Sequence, residues 1–143
     1  MVLYTLICII EKDRRIDMLR LSVLAALLQD ESVTDAINYA EENTTFANLR
    51  VVSRYMVVNF NKRYYNTLPL VVNSLSMLMD AGCIKIENGE VLANERLESF
   101  WVNEHELELG EAAKKIRTAV PELQKIAEGV STKKMVQQLN ILI

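Results

Sequence analysis

The amino-acid sequence predicts a mainly α (α+β) fold: a helical domain with one β-hairpin. The chain has 143 residues but only four glycines and two prolines, and residues 1–68 contain neither. Turns that need positive φ use glycine, and tight loops use proline. A stretch of this length without either residue therefore indicates helices. The exception is the pair Asn88-Gly89 between two short alternating apolar segments. Such a pair is the strongest short-range signal of a β-hairpin.

Composition bounds the domain count and excludes two classes of protein. Half of the residues are apolar and 24% are charged, a balance that excludes intrinsic disorder. The net charge of −3 excludes a histone-like polycation. A chain of this length suits a single domain. We therefore expect one domain over 1–143, with a helical half at 1–65 and a helix–hairpin–helices half at 66–143.

The first ten residues, MVLYTLICII, are almost all apolar. They are too short to cross a bilayer and lack the basic region and cleavage site of a secretory signal. They predict a buried element, either a strand or a helix, because a run that is apolar on all sides suits both. Cys8 and Cys83 have apolar neighbours and no CxxC spacing. We expect two reduced, buried thiols in a cytoplasmic protein that has no membrane partner.

The rest of the first half predicts further helices. Apolar residues recur at threes and fours over 16–28, which indicates a core helix. Asp30 or Ser32 can cap a second helix over 33–40. Thr44 or Thr45 offers a third start, and the segment 46–60 places its apolar residues on one side.

The segment from 66 to 82 is bracketed by helix-capping signals. Asn66 or Thr67 can cap a helix of about four turns. Pro69 is tolerated in a first turn, and Gly82 follows the last periodic residue, where a left-handed glycine is common. The hairpin after it has a predicted register, with one apolar face and an acidic tip: Ile84 opposite Ala93, Ile86 opposite Val91, and Glu87 opposite Glu90.

A helix, a glycine turn and a short hairpin form the closing half of a winged-helix domain, so the second half is predicted to be winged-helix-like. A wing that grips DNA normally carries Lys or Arg near its tip to meet phosphate. Here the tip carries Glu87 and Glu90. We therefore predict a hairpin used for packing or protein contact rather than for DNA.

The sequence of the last third of the chain predicts a solvated acidic run followed by two helices. Phe100 and Trp101 are expected to fix the acidic run 95–111 to the core. A helix follows over 112–128, in which Pro121 either makes a kink or opens a new helix. Ser131 can cap a final helix. The chain ends on three large aliphatic residues that the core or a partner must cover, which makes them a candidate interface: Ile141, Leu142 and Ile143.

A search for catalytic residues leaves none. The four glycines are isolated and form no phosphate-binding loop. His105 lies among glutamates whose side chains alternate rather than converge on a metal, so a surface histidine is the expected reading. Cys8 and Cys83 lack a nearby activating cation. We predict a protein that is not an enzyme and has no catalytic residue, cofactor, metal site or small-molecule substrate.

Charge is distributed in bands along the chain. No acidic residue occurs over 43–79, where four basic residues give +4; the segment 87–111 carries −7, and 112–143 carries +4. Such banding suits docking between two unlike partners, or between a protein and nucleic acid; solvated helix faces with no partner are the alternative. The candidate partner or nucleic-acid contacts are Arg50, Arg54, Lys62 and Arg63.

Four segments of the second half carry a resemblance to a known family: LVVNSLSMLMDAG, IKIENGEVLA, GEAAKKIRTAVPELQKIAEG and STKKMVQQLNI. Together they resemble the middle component of bacterial three-component ABC-ATPase conflict systems, a group that includes the small subunit of Lamassu anti-phage systems. Leu139-Asn140-Ile141 replaces a family triplet that has glycine in the middle. The resemblance implies a non-catalytic subunit that binds an SMC-like (Rad50-like) ABC ATPase and an effector subunit such as a nuclease. It implies that DNA is reached through the complex.

Two functions follow as expectations. The first is the accessory subunit of an anti-phage or anti-plasmid defence complex, with its apolar and charged surfaces as interfaces. The second is a winged-helix DNA-binding transcriptional regulator that reads DNA with Arg50 and Arg54 or with the helix before the hairpin. Salt-dependent duplex binding by the isolated chain would distinguish the second from the first.

Overall fold

The structure is a computed structural model that describes residues 1–39, 45–46, 54–100 and 110–142. Side chains are described for all of these residues except 54–59 and 99–100. It is mostly helical with a small antiparallel sheet of three strands, which confirms the predicted mainly α (α+β) class. The helices are α1 Val2–Lys12, α2 Met18–Leu28, α3 Glu31–Asn38, α4 Arg54–Asp80, α5 Arg96–Phe100, α6 Glu111–Ala127 and α7 Thr132–Gln138. The strands are β1 Arg15–Asp17, β2 Ile84–Glu87 and β3 Glu90–Ala93.

The apolar N-terminal run forms a helix, which settles the choice that the sequence left open. Helix α1 packs against α4, α6 and α2, and it also contacts β3. Leu6 and Ile10 are fully buried. Because neighbours surround α1 on several sides, most of its residues face protein rather than water, and it needs no polar stripe.

Residues 15–17 form a strand, so the expectation of a helix starting at Ile16 is wrong by two residues. Helix α2 begins at Met18, and the Asp17 carboxylate caps it by accepting from the backbone N–H of Arg20 at 2.9 Å. Ile16 lies opposite Val91 in the ladder, and both are buried. Pairing with the hairpin therefore overrides the helical spacing of this end of the segment.

The sheet has the strand order β1-β3-β2. The predicted hairpin register is confirmed at all three pairs, from Ile84 opposite Ala93 to Glu87 opposite Glu90. Asn88 and Gly89 have φ of 51° and 76°, the left-handed values that a two-residue hairpin loop requires. The first half of the chain supplies β1 and the second half supplies the hairpin, so one sheet joins the two halves. The winged-helix interpretation of 66–143 stays a prediction.

Helix α4 is 27 residues long and runs through Pro69. The predicted start at Asn66 or Thr67 is therefore wrong, because Pro69 lies in the helix interior rather than in its first turn. Proline removes the bond to the carbonyl of Tyr65, and packing of α4 against α1 and α2 holds the helix through this point. The predicted end is confirmed: Gly82 has φ of 73°, its N–H donates to Met79, and Cys83 N–H donates to Leu78.

The second proline is also inside a helix. Helix α6 continues through Pro121 to Ala127, so of the two alternatives for this residue a new helix is excluded. Ser131 caps α7 as predicted, accepting from Lys134 N–H at 3.1 Å. Asp30, rather than Ser32, caps α3 by accepting from the backbone N–H of Ser32.

The guanidinium of Arg20 on α2 binds the corner between α6 and α7. It donates to the carbonyl oxygens of Ala127, at the end of α6, and of Val130, at 2.7 Å for the latter. The last carbonyls of a helix lack intrahelical donors and carry partial negative charge. The half-buried guanidinium therefore adds a donor to the Ala127 carbonyl, which also accepts from Val130 N–H, and through its bond to Val130 it ties the C-terminal helices to α2.

Candidate functional site

The outer side of α4 has no charge over a long distance. Residues 64–79 contain no Asp, Glu, Lys or Arg, and at 1.5 Å per residue this segment spans more than four turns. The inner side packs on α1, α2 and β2. The inner side consists of a continuous row of buried side chains: Phe60, Tyr64, Val71, Leu75 and Leu78.

Five large apolar side chains on α4 are nevertheless exposed, between 43% and 53% of their area. Tyr65, Val72 and Met79 follow one another at intervals of seven residues, or two turns, and form what we call the tail-side strip. Leu70 and Met77 are also seven residues apart and form the opposite strip. At about 100° per residue the two strips lie on opposite flanks of the helix. Exposed apolar residues arranged in lines mark interaction surfaces more strongly than single ones do.

Neutral polar residues separate the two strips. Asn66, Asn73 and Ser76 lie between them on the outermost side of α4 and are exposed. A solvated helix face usually carries charged residues on this side. The combination of apolar strips and uncharged polar residues resembles the composition of a protein interface, whose core is depleted in charge.

The C-terminal segment lies beside the tail-side strip. The side-chain oxygen of Asn61 accepts from Leu142 N–H at 2.8 Å, and the Tyr65 hydroxyl donates to the Leu142 carbonyl. Leu142 is 74% exposed, whereas Ile141 is buried in the core of the chain itself. Of the predicted interface residues, Leu142 is available to a partner, Ile141 is used internally, and Ile143 lies outside the described residues.

Asn140 directs this segment toward α4. Its φ is 55°, a left-handed value that glycine and asparagine adopt most readily. The N–H of Asn140 donates to Gln137 and that of Ile141 to Val136, the two bonds of a Schellman helix end. The position where the resembled family has glycine is thus one that asparagine can also occupy.

The four predicted basic contacts do not gather at one described point. Arg63 forms an ion pair with Asp30, the residue that caps α3. Lys62 is exposed on α4. Arg54 is the first residue of α4, but its side chain, like all of Arg50, is outside what the structure describes.

The acidic hairpin tip is closer to neutral than the sequence suggested. Arg15 of β1 donates to both carboxylate oxygens of Glu90, at 2.9 and 3.2 Å, and these hydrogen bonds hold the pKa of Glu90 below its usual value. Lys85 pairs with Glu87 at 2.8 Å. The sequence argument that two glutamates would repel phosphate missed Arg15, because no strand was expected to pair with the hairpin there, and it left out Lys85, which lies on the hairpin itself.

Other acidic residues are also engaged in ion pairs. Lys115 of α6 lies 2.8 Å from Glu31 and 3.2 Å from Asp35 of α3, and hydrogen bonds to these carboxylates raise its pKa. Arg14 pairs with Glu98 of α5 at 3.0 Å. These contacts join elements within the chain, so part of the charge banding is used in the fold rather than presented to a partner.

Among the described residues, burial is the largest cause of the pKa shift at Glu11 and at Cys83. Burial raises the pKa of the Glu11 carboxyl, which the nearby Arg117 charge opposes. Burial also raises the pKa of the Cys83 thiol, which keeps it protonated and a poor nucleophile. Cys8 and Cys83 are both buried, as predicted, and are not joined by a disulfide.

Among the described residues, no helix is both long enough and apolar enough to cross a membrane, and no three His, Cys, Asp or Glu side chains gather as metal ligands. His105 and Trp101 lie outside those residues. Comparison with known proteins gave no match to a protein family, to a curated protein or to a solved structure. The resemblance drawn from the second half of the chain therefore remains a prediction.

Sequence reasoning missed the two strips on α4. It began a helix at 66, which left out Tyr65, and it did not ask which side of that helix Leu70, Val72, Met77 and Met79 share. A usable signal was present, because sixteen successive residues without a charge are unusual for a helix that is not surrounded by protein.

Proposed function

We propose that this protein is a non-catalytic accessory subunit of a cytoplasmic anti-phage or anti-plasmid defence complex. In this role it binds an SMC-like (Rad50-like) ABC ATPase and links it to an effector such as a nuclease, and it reaches DNA through the complex. The exposed, uncharged side of α4 is the observation that carries the proposal. A subunit whose task is to hold other proteins needs such a surface, because buried apolar area provides most of the stability of a protein complex.

The opposite strip is the proposed contact for the ATPase. Arg63 lies seven residues before Leu70, and Met77 lies seven residues after it. The three residues therefore form one line along the helix. Arginine and methionine are both enriched in protein interfaces. A line with a period of seven residues matches a partner helix that runs alongside, which is the kind of element a coiled-coil ATPase offers.

Replacing both Leu70 and Met77 with glutamate is expected to remove the ATPase from the complex. Two negative charges would then lie where apolar side chains contact the partner, and an unpaired charge is costly to bury. The measurement is affinity purification of the tagged chain coexpressed with the ATPase and effector of the same system. We expect a loss of at least about tenfold in recovered ATPase, since this corresponds to only about 1.4 kcal/mol of binding free energy.

The matched control is Asn66→Glu combined with Asn73→Glu. It adds the same charge with the same spacing to the same helix, but between the strips, and we expect it to retain the ATPase. Thermal unfolding of both variants should match that of the wild type because all four side chains are exposed. Equal recovery of ATPase from the two variants would refute the assignment of the opposite strip. No association with the ATPase even for the wild-type chain would refute the proposed function.

A second candidate is a winged-helix DNA-binding regulator. The feature that favours it is the sheet, in which a strand before α2 pairs with the hairpin that follows the long helix, an arrangement also used by winged-helix domains. This candidate predicts that the isolated chain binds duplex DNA with an affinity that falls steeply with salt, and that Arg50→Ala plus Arg54→Ala weakens binding. An affinity for duplex DNA that changes neither with salt concentration nor with the two substitutions would count against this candidate.

A further inference from the structure

We propose that the tail-side strip of α4 binds a second copy of this chain, so that two copies pair through antiparallel α4 helices with Val72 on the twofold axis. Tyr65, Val72 and Met79 are equally spaced, with seven residues on each side of Val72. If two such helices run antiparallel with Val72 facing Val72, each Tyr65 faces Met79 of the other copy. The strip is thus complementary to itself, as a twofold interface requires.

The charges at the two ends of the strip support the same arrangement. Lys62 and Asp80 are separated by eighteen residues, or five turns of helix, so they lie on the same side of α4. Both are exposed. Around an axis at Val72, Lys62 of one copy comes within about 3 Å, measured along the helix, of Asp80 of the other. Opposite charges therefore meet at both ends of the seam, and no charge lies between Tyr65 and Met79.

Antiparallel pairing is also the orientation that the helix dipoles favour, because each N-terminus then lies beside a C-terminus. The seam from Tyr65 to Met79 is about 21 Å long. Leu142, hydrogen-bonded beside Tyr65 and largely exposed, adds apolar area at one end. A seam of this length buries an area at the small end of the range for specific complexes. The expected dimer is therefore concentration-dependent rather than permanent.

The inference concerns a different strip from the one assigned to the ATPase, and the isolated full-length chain is sufficient to test it. Analytical ultracentrifugation over a wide concentration range should show a monomer–dimer equilibrium. Val72→Lys alone and Val72→Asp alone should each be monomeric, because each places like charges together at the axis. An equal mixture of these two variants should form dimers again, which only a residue that meets its own counterpart permits.

A cysteine at the axis gives an independent measurement. Under mild oxidation Val72→Cys should form a disulfide-linked dimer, whereas Leu70→Cys, equally exposed but on the opposite strip, should not. The native Cys8 and Cys83 are buried and contribute little background. Circular dichroism confirms that each variant is folded. A chain that stays monomeric, a mixture of charge variants that does not associate, or equal cross-linking by the two cysteine variants would each overturn the proposal. None of these results depends on whether the ATPase binds.

Discussion

Arg20→Met is expected to lower the free energy of unfolding by about 3 kcal/mol, because it removes a cation that donates to two backbone carbonyls where α6 meets α7. The side chain of Arg20 is half-buried and donates to Ala127 and to Val130. Methionine fills similar space but donates no hydrogen bond, so the Val130 carbonyl loses the guanidinium and the Ala127 carbonyl keeps only the N–H of Val130. Urea unfolding monitored by circular dichroism measures the change.

The matched control is Arg15→Met, the same chemical change at an exposed ion pair with Glu90. Exposed ion pairs contribute little to stability, so we expect a much smaller change than for Arg20→Met. Arg20→Lys should lie between the two, since one ammonium group keeps the charge but not the planar fork that reaches both carbonyls. Equal losses for Arg20→Met and Arg15→Met would show that the corner of α6 and α7 does not depend on Arg20.

The single substitution Ile16→Ala is also expected to lower the free energy of unfolding by about 3 kcal/mol. Ile16 is 2% exposed at the centre of β1, facing Val91 across the ladder. Removing its side chain leaves a cavity where the first half of the chain meets the hairpin. The measurement is the shift in the urea midpoint at unchanged slope.

Ile86→Ala provides the comparison for Ile16. Ile86 lies opposite the same Val91 on β2, the neighbour of β3 on its other edge, but is only partly buried. We expect it to cost about 1 kcal/mol, since less area is lost from the interior. If Ile16→Ala costs no more than Ile86→Ala, β1 is not the strand that joins the halves of the chain.

The two proposals about α4 are compatible because the strips lie on opposite flanks. A pair of chains joined through the tail-side strips keeps both opposite strips exposed. Such a pair would present two lines of Arg63, Leu70 and Met77, one for each ATPase arm or ATPase molecule. Variants at Val72 should therefore separate the copies without removing the ATPase, and variants at Leu70 and Met77 should do the reverse.

The parts of the fold that depend on a few neighbouring residues were predictable. The hairpin register follows from Asn88-Gly89, and the end of α4 follows from Gly82, because positive φ restricts which residues fit. The caps of α3 and α7 follow from short polar side chains before an apolar run. The helical class itself follows from the scarcity of glycine and proline.

Distant contacts decided the rest. The helical spacing at Ile16 gave way to pairing with Val91, which is far along the chain. Pro69 was expected near a helix start and lies inside one, because packing against α1 and α2 supports the helix where its hydrogen bond is missing. Whether the apolar N-terminal run was strand or helix depended on how many neighbours surround it.

The sequence by itself determined the class of fold, the hairpin and the caps, since each depends on the conformational preference of local residues. Only the tertiary structure decided which apolar residues face water. Val71 and Val72 are adjacent and chemically identical, yet one is buried against the core and the other is half exposed. Which side of α4 meets α1 and α2 is set by the packing of the whole chain. That packing turns the remaining apolar residues of α4 into the two strips that we propose bind other proteins.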